Sequence, residues 1–185
     1  MRIVGGRLRG RTLAAPKSQA IRPTADRLRE SLFNILVHAY GAPVTGARVL
    51  DLFAGTGALG LEAISRGAAF ALLVDDGAEA RARLRQNVEA LGVAAVTKIF
   101  RRDATRLGPA HPVEPFSLVF LDPPYAKGLA EKAVVSAREG GWLTGGALVV
   151  VEETADAFKT PKAFEEIERR KYDDTEFIFL RGTSS

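Results

Sequence analysis

Four consecutive residues, Asp122-Pro123-Pro124-Tyr125, have the chemistry to grip a flat ring that carries an amine. The apolar run Leu118-Val119-Phe120-Leu121 delivers them from a buried strand, and two successive prolines cannot continue a strand ladder. They lock the backbone and leave carbonyls with no neighbouring strand. The Asp122 carboxylate and the Pro123 carbonyl can then converge as two acceptors, with the Tyr125 ring beside them. An exocyclic amine offers both its N–H groups to this pair. Its lone pair is thereby turned out of conjugation and can attack an electrophilic methyl group in line. The nitrogen loses its surplus proton only after it becomes cationic, so no strong general base is needed, although Asp122 can take that proton.

A second set of residues is suited to a nucleotide-like ligand. Arg48 to Gly60, RVLDLFAGTGALG, reads as a buried strand ending at Phe53 and running into a glycine turn that opens a helix. Gly55, Gly57 and Gly60 stand at G-x-G-x-x-G spacing: the first two allow a tight turn and close approach to a ligand, the third close helix–strand packing. The opening turn of that helix offers unpaired N–H groups and partial positive charge to an anionic group. Asp51 is a carboxylate inside an apolar run, and burying it is costly unless glycine-loop N–H groups or a cationic ligand group satisfy it. Asp75, 20 residues beyond Gly55, sits where a carboxylate can accept both ribose hydroxyls of a nucleoside. Its neighbour Asp76 is a second candidate, with a solvated turn as the plainer role. Asp103, followed by Ala104, can meet an adenine amino group or simply cap a turn.

The elements that must position these residues follow from periodicity. Arg2 to Ala15 holds two short apolar pieces broken by glycines and reads as a small arginine-bearing β-hairpin; Pro16 to Pro23 is a connector. Thr24 is a plausible N-cap for an amphipathic helix over 24–40, marked by Leu28, Leu32, Ile35, Leu36 and Ala39. Thereafter strands at 48–53, 70–75, 96–100, 117–122 and 146–152 alternate with helices at 57–66, 77–91 and 128–138. Near-continuous apolar strands of this kind form a parallel sheet covered on both faces. Residues 165–171 and 175–180 flank Tyr172-Asp173-Asp174 as an antiparallel hairpin. The sum is an α/β, Rossmann-like seven-stranded sheet, mostly parallel, with a C-terminal antiparallel hairpin and a small N-terminal hairpin and helix appendage. The organisation is one domain overall: a basic arm over 1–23 on a body over 24–185.

Composition narrows the chemistry. The chain of 185 residues has no cysteine, which excludes disulfides, thiolate metal sites and a cysteine nucleophile, and with it cytosine C5 methylation. No ligand pair has metal spacing, and His38 and His111 have no catalytic partner in view, although the Pro109–Pro115 loop around His111 could flank a site. No apolar run approaches a membrane span, so a cytoplasmic protein without membrane association is expected. Residues 1–30 hold eight basic side chains (Arg2, Arg7, Arg9, Arg11, Lys17, Arg22, Arg27, Arg29) against Asp26 and Glu30. That segment is +6 in a chain of net charge +4, so the rest sums to −2. A basic arm on a near-neutral body is the footprint of a nucleic-acid binder; a solubilising tail is the plainer alternative.

The Asp51–Gly60 loop, the acidic ribose position and Asp122–Tyr125 resemble amino-methyltransferases that use S-adenosylmethionine. The N-terminal residues Arg2-Ile-Val-Gly-Gly-Arg7, Gly10-Arg11 and Arg22-Pro-Thr-Ala-Asp-Arg-Leu-Arg-Glu-Ser-Leu-Phe-Asn34 are similar to RsmD-type methyltransferases, which modify N2 of a guanine in bacterial small-subunit ribosomal RNA. The resemblance spans Met1 to about Arg181. It implies S-adenosylmethionine as cofactor, with Asp51, Phe53, Gly55 and Gly57 toward its methionine part, Asp75 and Asp76 at the ribose, and Asp103 and Ala104 at the adenine. It implies Asp122 to Tyr125 at the guanine amine and the segment with Arg22, Arg27 and Arg29 over the active site, bringing in the RNA; the charge of the arm adds Arg2, Arg7, Arg9 and Arg11 as RNA contacts. The partner implied is ribosomal RNA within a small subunit or assembly intermediate, met by a monomer. Asp75 departs from the family's usual Glu, a shorter reach to the same hydroxyls. Three other readings share features: an N-methyltransferase for DNA adenine or another amine, a nicotinamide oxidoreductase that leaves Asp122–Tyr125 without a role, and a non-catalytic RNA-binding module.

Overall fold

The computed structural model describes residues 1–16 and 23–183. Seven strands form one sheet: β1 (Arg48–Leu52), β2 (Phe70–Val74), β3 (Thr97–Phe100), β4 (Phe116–Leu121), β5 (Leu143–Thr154), β6 (Phe164–Tyr172) and β7 (Thr175–Gly182). The spatial order is β3-β2-β1-β4-β5-β7-β6, with β1 to β5 parallel and β7 antiparallel to both of its neighbours. Helices α1 (Pro23–Ala39), α2 (Ala58–Ser65), α3 (Ala78–Leu91) and α4 (Leu129–Glu139) cover the faces. Chain order reverses direction in space at β1 and β4, which is where the crevice of a doubly wound sheet opens, at the carboxyl ends of the strands.

Each strand feeds both faces in alternation. Val49, Leu73, Phe120, Val150 and Phe179 belong to one core with α1, α2 and α3; Leu50, Leu72, Val119, Val149 and Ile178 belong to the other with α4. Period-two burial on both sides explains why the strands read as unbroken apolar runs. Asp51 falls on the Val49 face, and so points toward α2.

The N-terminal segment pairs with itself as a small hairpin: Arg2 bridges Thr12, Ile3 N–H donates to the Arg11 carbonyl, Leu13 N–H to the Met1 carbonyl and Gly10 N–H to the Ile3 carbonyl. Other backbone groups of the segment are taken by the body: Val4 and Gly5 N–H donate to the Glu62 carboxylate, Leu8 N–H to Ser65 Oγ, Arg7 N–H to the Ser65 carbonyl and Ala14 N–H to Asn87 Oδ1. Ile3, Leu8 and Leu13 are buried in the first core, so the arm is docked over α2 and α3. Helix α1 begins at Pro23, one residue before the expected N-cap Thr24; the fixed φ of proline suits that first position. A short 3-10 turn, Ala104–Arg106, follows β3 where no element was expected.

Candidate active site

Strands β1 and β4 are neighbours in register, Leu52 beside Leu121, so the two chains leave the sheet side by side at Phe53 and Asp122. Between them lies a cleft of about 910 Å³ whose walls include Asp51, Phe53, Gly55, Asp122, Pro123 and Tyr125. Asp51, Phe53 and Gly55 of the nucleotide-directed set thus share one cavity with Asp122 to Tyr125. Asp122 is half-buried and Pro123 buried, while Tyr125 is 47% exposed, a large aromatic surface left open at the cleft.

Asp51 is 1% exposed, and its Oδ2 accepts the Gly60 N–H at 2.9 Å. Burial pushes this carboxyl up to about 7, the Gly60 bond draws it back, and the charge of Asp75 raises it further. The bond depends on close approach: a Cβ at Gly60 would lie 2.4 Å from Leu73 Cδ2 and 3.1 Å from Asp51 Oδ2. At Gly57 the need is double, since φ is +84° and a Cβ would meet Leu84 Cδ2 at 2.8 Å.

The residues expected at the nucleoside lie along the same strand ends but outside the walls of this cleft. Asp75 directly follows β2; its Oδ2 accepts the Gly55 N–H and its Oδ1 the Gly77 N–H, both at 2.9 Å. It therefore braces the glycine loop. Asp76 is exposed. Asp103 is exposed and its Oδ1 accepts both the N–H and the hydroxyl of Thr105, capping the 3-10 turn; these bonds hold its carboxyl below the usual range. Ala104 is buried.

The arginines divide. Arg2, Arg7, Arg9, Arg11 and Arg27 are exposed, with Arg11 also donating to the Ala90 carbonyl; Arg22 lies outside the described residues. Arg29 departs from the expectation of an RNA contact. It is 5% exposed, pairs with Glu62 and Asp26, and donates to the Arg2 carbonyl. A guanidinium so committed locks α1 to α2 and the arm. His38 is exposed at the end of α1, and the loop around His111 feeds the amino end of β4, the edge of the sheet away from the cleft.

Two residues of the site's frame went unnoticed in the sequence. Glu62 is fully buried and holds Val4, Gly5, Arg29 and Arg66. Its signal was present: a lone carboxylate in Ala58-Leu-Gly-Leu-Glu-Ala-Ile-Ser65, a helix with no other charge. Asn87 accepts from Ala14 N–H and donates to the Ala14 and Thr56 carbonyls, joining arm, α3 and glycine loop. Nothing in its amphipathic helix marks it out.

A family model described as Conserved hypothetical protein 95 matches residues 1–181. The chain belongs to that family. Its members include ribosomal RNA small subunit methyltransferase D of Escherichia coli, to which the chain is 41% identical over 157 residues, 84% of this chain and 76% of the relative. The protein of the same name from Haemophilus influenzae is 34% identical over 158 residues, 84% of this chain and 80% of the relative. The solved structure of YhhF from Escherichia coli superposes with a TM-score of 0.82 at 32% identity, covering 100% of this chain and 99% of that one. This is the RsmD family of Rossmann-like methyltransferases, and S-adenosylmethionine is its cofactor. The donor set fits that molecule: a buried carboxylate, Asp51, whose raised pKa marks it as in want of a positive partner, adjoins a glycine loop at a helix N-terminus. Among the described residues no helix is long and apolar enough to cross a membrane.

Proposed function

We propose that this protein transfers a methyl group from S-adenosylmethionine to the exocyclic N2 of a guanine in bacterial small-subunit ribosomal RNA. The observation that carries the reading is the shared cleft, in which Asp51 and the glycine loop stand beside Asp122 to Tyr125. The family's named relatives act on small-subunit ribosomal RNA, which supports that acceptor over DNA adenine.

In this reading Asp51, Phe53, Gly55 and Gly57 face the methionine part of the cofactor, Asp75 and Asp76 the ribose, and Asp103 and Ala104 the adenine. The bound cofactor supplies an electrophilic methyl group. Asp122 and the Pro123 carbonyl accept the two N–H bonds of the guanine amine and hold its lone pair in line, Pro124 stiffens the turn, and Tyr125 stacks on the base. Such stacking is worth about 1–3 kcal/mol, and it supports a base swung out of its RNA stack. Arg2, Arg7, Arg9, Arg11, Arg22 and Arg27 supply salt-sensitive phosphate contacts. The protein acts as a cytoplasmic monomer on a small subunit or an assembly intermediate.

The test offers methyl-labelled S-adenosylmethionine and purified protein to unmodified small subunits, naked ribosomal RNA, duplex DNA and bulk protein, with nucleoside analysis of the product. Label as N2-methylguanosine is expected. Label in DNA adenine or in protein overturns the acceptor and leaves the cofactor standing.

A further inference from the structure

Strand β5 ends in a buried carboxylate that has no part in the site as drawn so far. Glu153 is 1% exposed and lies two residues beyond Val151, the partner of Leu121 at the end of β4. It therefore stands just past the point where β4 releases the Asp122–Tyr125 loop. Its Oε1 accepts the N–H of Thr154 at 2.8 Å and the N–H of Ala126 at 2.9 Å. Ala126 directly follows Tyr125 and has a φ of +57°, the left-handed region that a residue with a Cβ rarely adopts. The two prolines have no N–H of their own to tether the loop. The far end of the loop is thus tied to the neighbouring strand through one carboxylate oxygen.

A second carboxylate lies within electrostatic reach of the first. Glu131, in the opening turn of α4, has its Oε1 enclosed without a hydrogen-bond partner among the described residues. Burial raises its carboxyl pKa, the Lys159 N–H draws it back, and the charge of Glu153 raises it again. Burying the Glu153 carboxylate is costly, and the two N–H groups it accepts are what offset that cost. Strained or costly groups of this kind gather where a loop must be held in one conformation for function.

We propose that Glu153 is a positioning residue for methyl transfer, which holds Ala126 in its left-handed conformation and so aims Asp122, the Pro123 carbonyl and Tyr125 into the cleft together. The inference rests on the amine-gripping role of that loop.

The test compares Glu153→Ala and Glu153→Gln with wild type in two measurements. One is methyl transfer to unmodified small subunits; the other is backbone amide exchange across residues 119–130. In Glu153→Ala, kcat falls about a hundredfold, the cost of a misaimed reacting group. KM for the cofactor stays within about twofold, and exchange at Ala126 quickens about tenfold. Glu153→Gln keeps an acceptor oxygen and restores most of kcat and of the protection. Where alanine does not fold, Glu153→Met keeps the volume, removes the acceptor and carries the same expectation. Unchanged exchange at Ala126, unchanged kcat, a glutamine variant as impaired as alanine, or a joint loss of kcat and cofactor affinity each overturns the proposal. Wild-type protein that binds cofactor but labels no subunit counts against the acceptor alone, because amide exchange reads the tether without any acceptor.

Discussion

Glu62 of α2 and Arg29 of α1 form an ion pair inside the protein, Nε to Oε1 at 3.2 Å, with side chains 0% and 5% exposed. The same carboxylate accepts the N–H groups of Val4 and Gly5 and pairs with Arg66 at 2.8 Å. One residue therefore joins the arm, α1 and the helix that opens at the glycine loop. Glu62→Ala strands a buried guanidinium and two backbone donors, and a loss of about 3–5 kcal/mol is expected. Urea unfolding measures it; a loss under about 1 kcal/mol would show that water replaces the carboxylate.

Asp51 gives stability and cofactor affinity opposite responses to pH. Burial raises its carboxyl to about 7 in the folded chain from the ordinary 3.8, so the folded state holds the extra proton between those values. Its contribution to stability is full below the lower value and is lost as pH rises toward the upper one. Asp51→Asn removes that decline and is more stable than wild type above pH 7 by on the order of a few kcal/mol. Affinity for the cationic cofactor runs the other way, rising as Asp51 ionises near pH 7, and the asparagine variant loses that rise. Unfolding and titration calorimetry from about pH 5 to about pH 8.5 read both trends. Parallel stability curves for the two proteins would sink this account.

Asp122→Ala removes one of the two proposed amine acceptors and leaves the glycine loop untouched. Turnover is expected to drop by at least about a hundredfold, while the cofactor binds with nearly wild-type affinity. Calorimetry that finds the affinity lost instead would reassign Asp122 to the cofactor.

Neutralising Arg7, Arg9 and Arg11 together lowers the slope of log affinity for RNA against log salt by about 2–3, the release of one counterion per phosphate contact. Arg29→Gln serves as the internal contrast. It lowers stability and leaves the salt slope alone, because its guanidinium is occupied by Glu62 and Asp26. An unchanged slope in the triple variant would leave the arm with a solubility role only.

Much of this was legible because it depends on local pattern. The strand–helix alternation from Arg48 onward and the C-terminal hairpin are written in apolar runs and turn residues, and they emerged with ends shifted by a few residues at most. The loops carrying Asp51 and Asp122 were placed by the same reasoning, since a chain leaving a parallel strand exits at the carboxyl edge. The arm was legible as a hairpin, while its docking on the body was not. Its glycines and short apolar pieces give the pairing with itself, but Glu62, Ser65 and Asn87, which take its remaining N–H groups, lie at least 57 residues away in sequence. Charge counting likewise could not separate Arg29 from Arg27, because the difference lies in a carboxylate 33 residues further along. Glu153 is hidden in the same way, beside an apolar strand whose last residues read as an ordinary polar exit.

The adjacency of β1 and β4 has a further consequence. Asp51 and Asp122, proposed to face the methyl donor and the acceptor, hang from neighbouring strands that pair from Val49 with Leu118 to Leu52 with Leu121. Their separation is thus one interstrand spacing of about 4.8 Å combined with a two-residue offset of about 6–7 Å along the strand, both set by the backbone. Surface changes can alter which RNA arrives and how tightly it is held. They cannot slide the two reactants apart, because the ruler between them is the middle of the sheet.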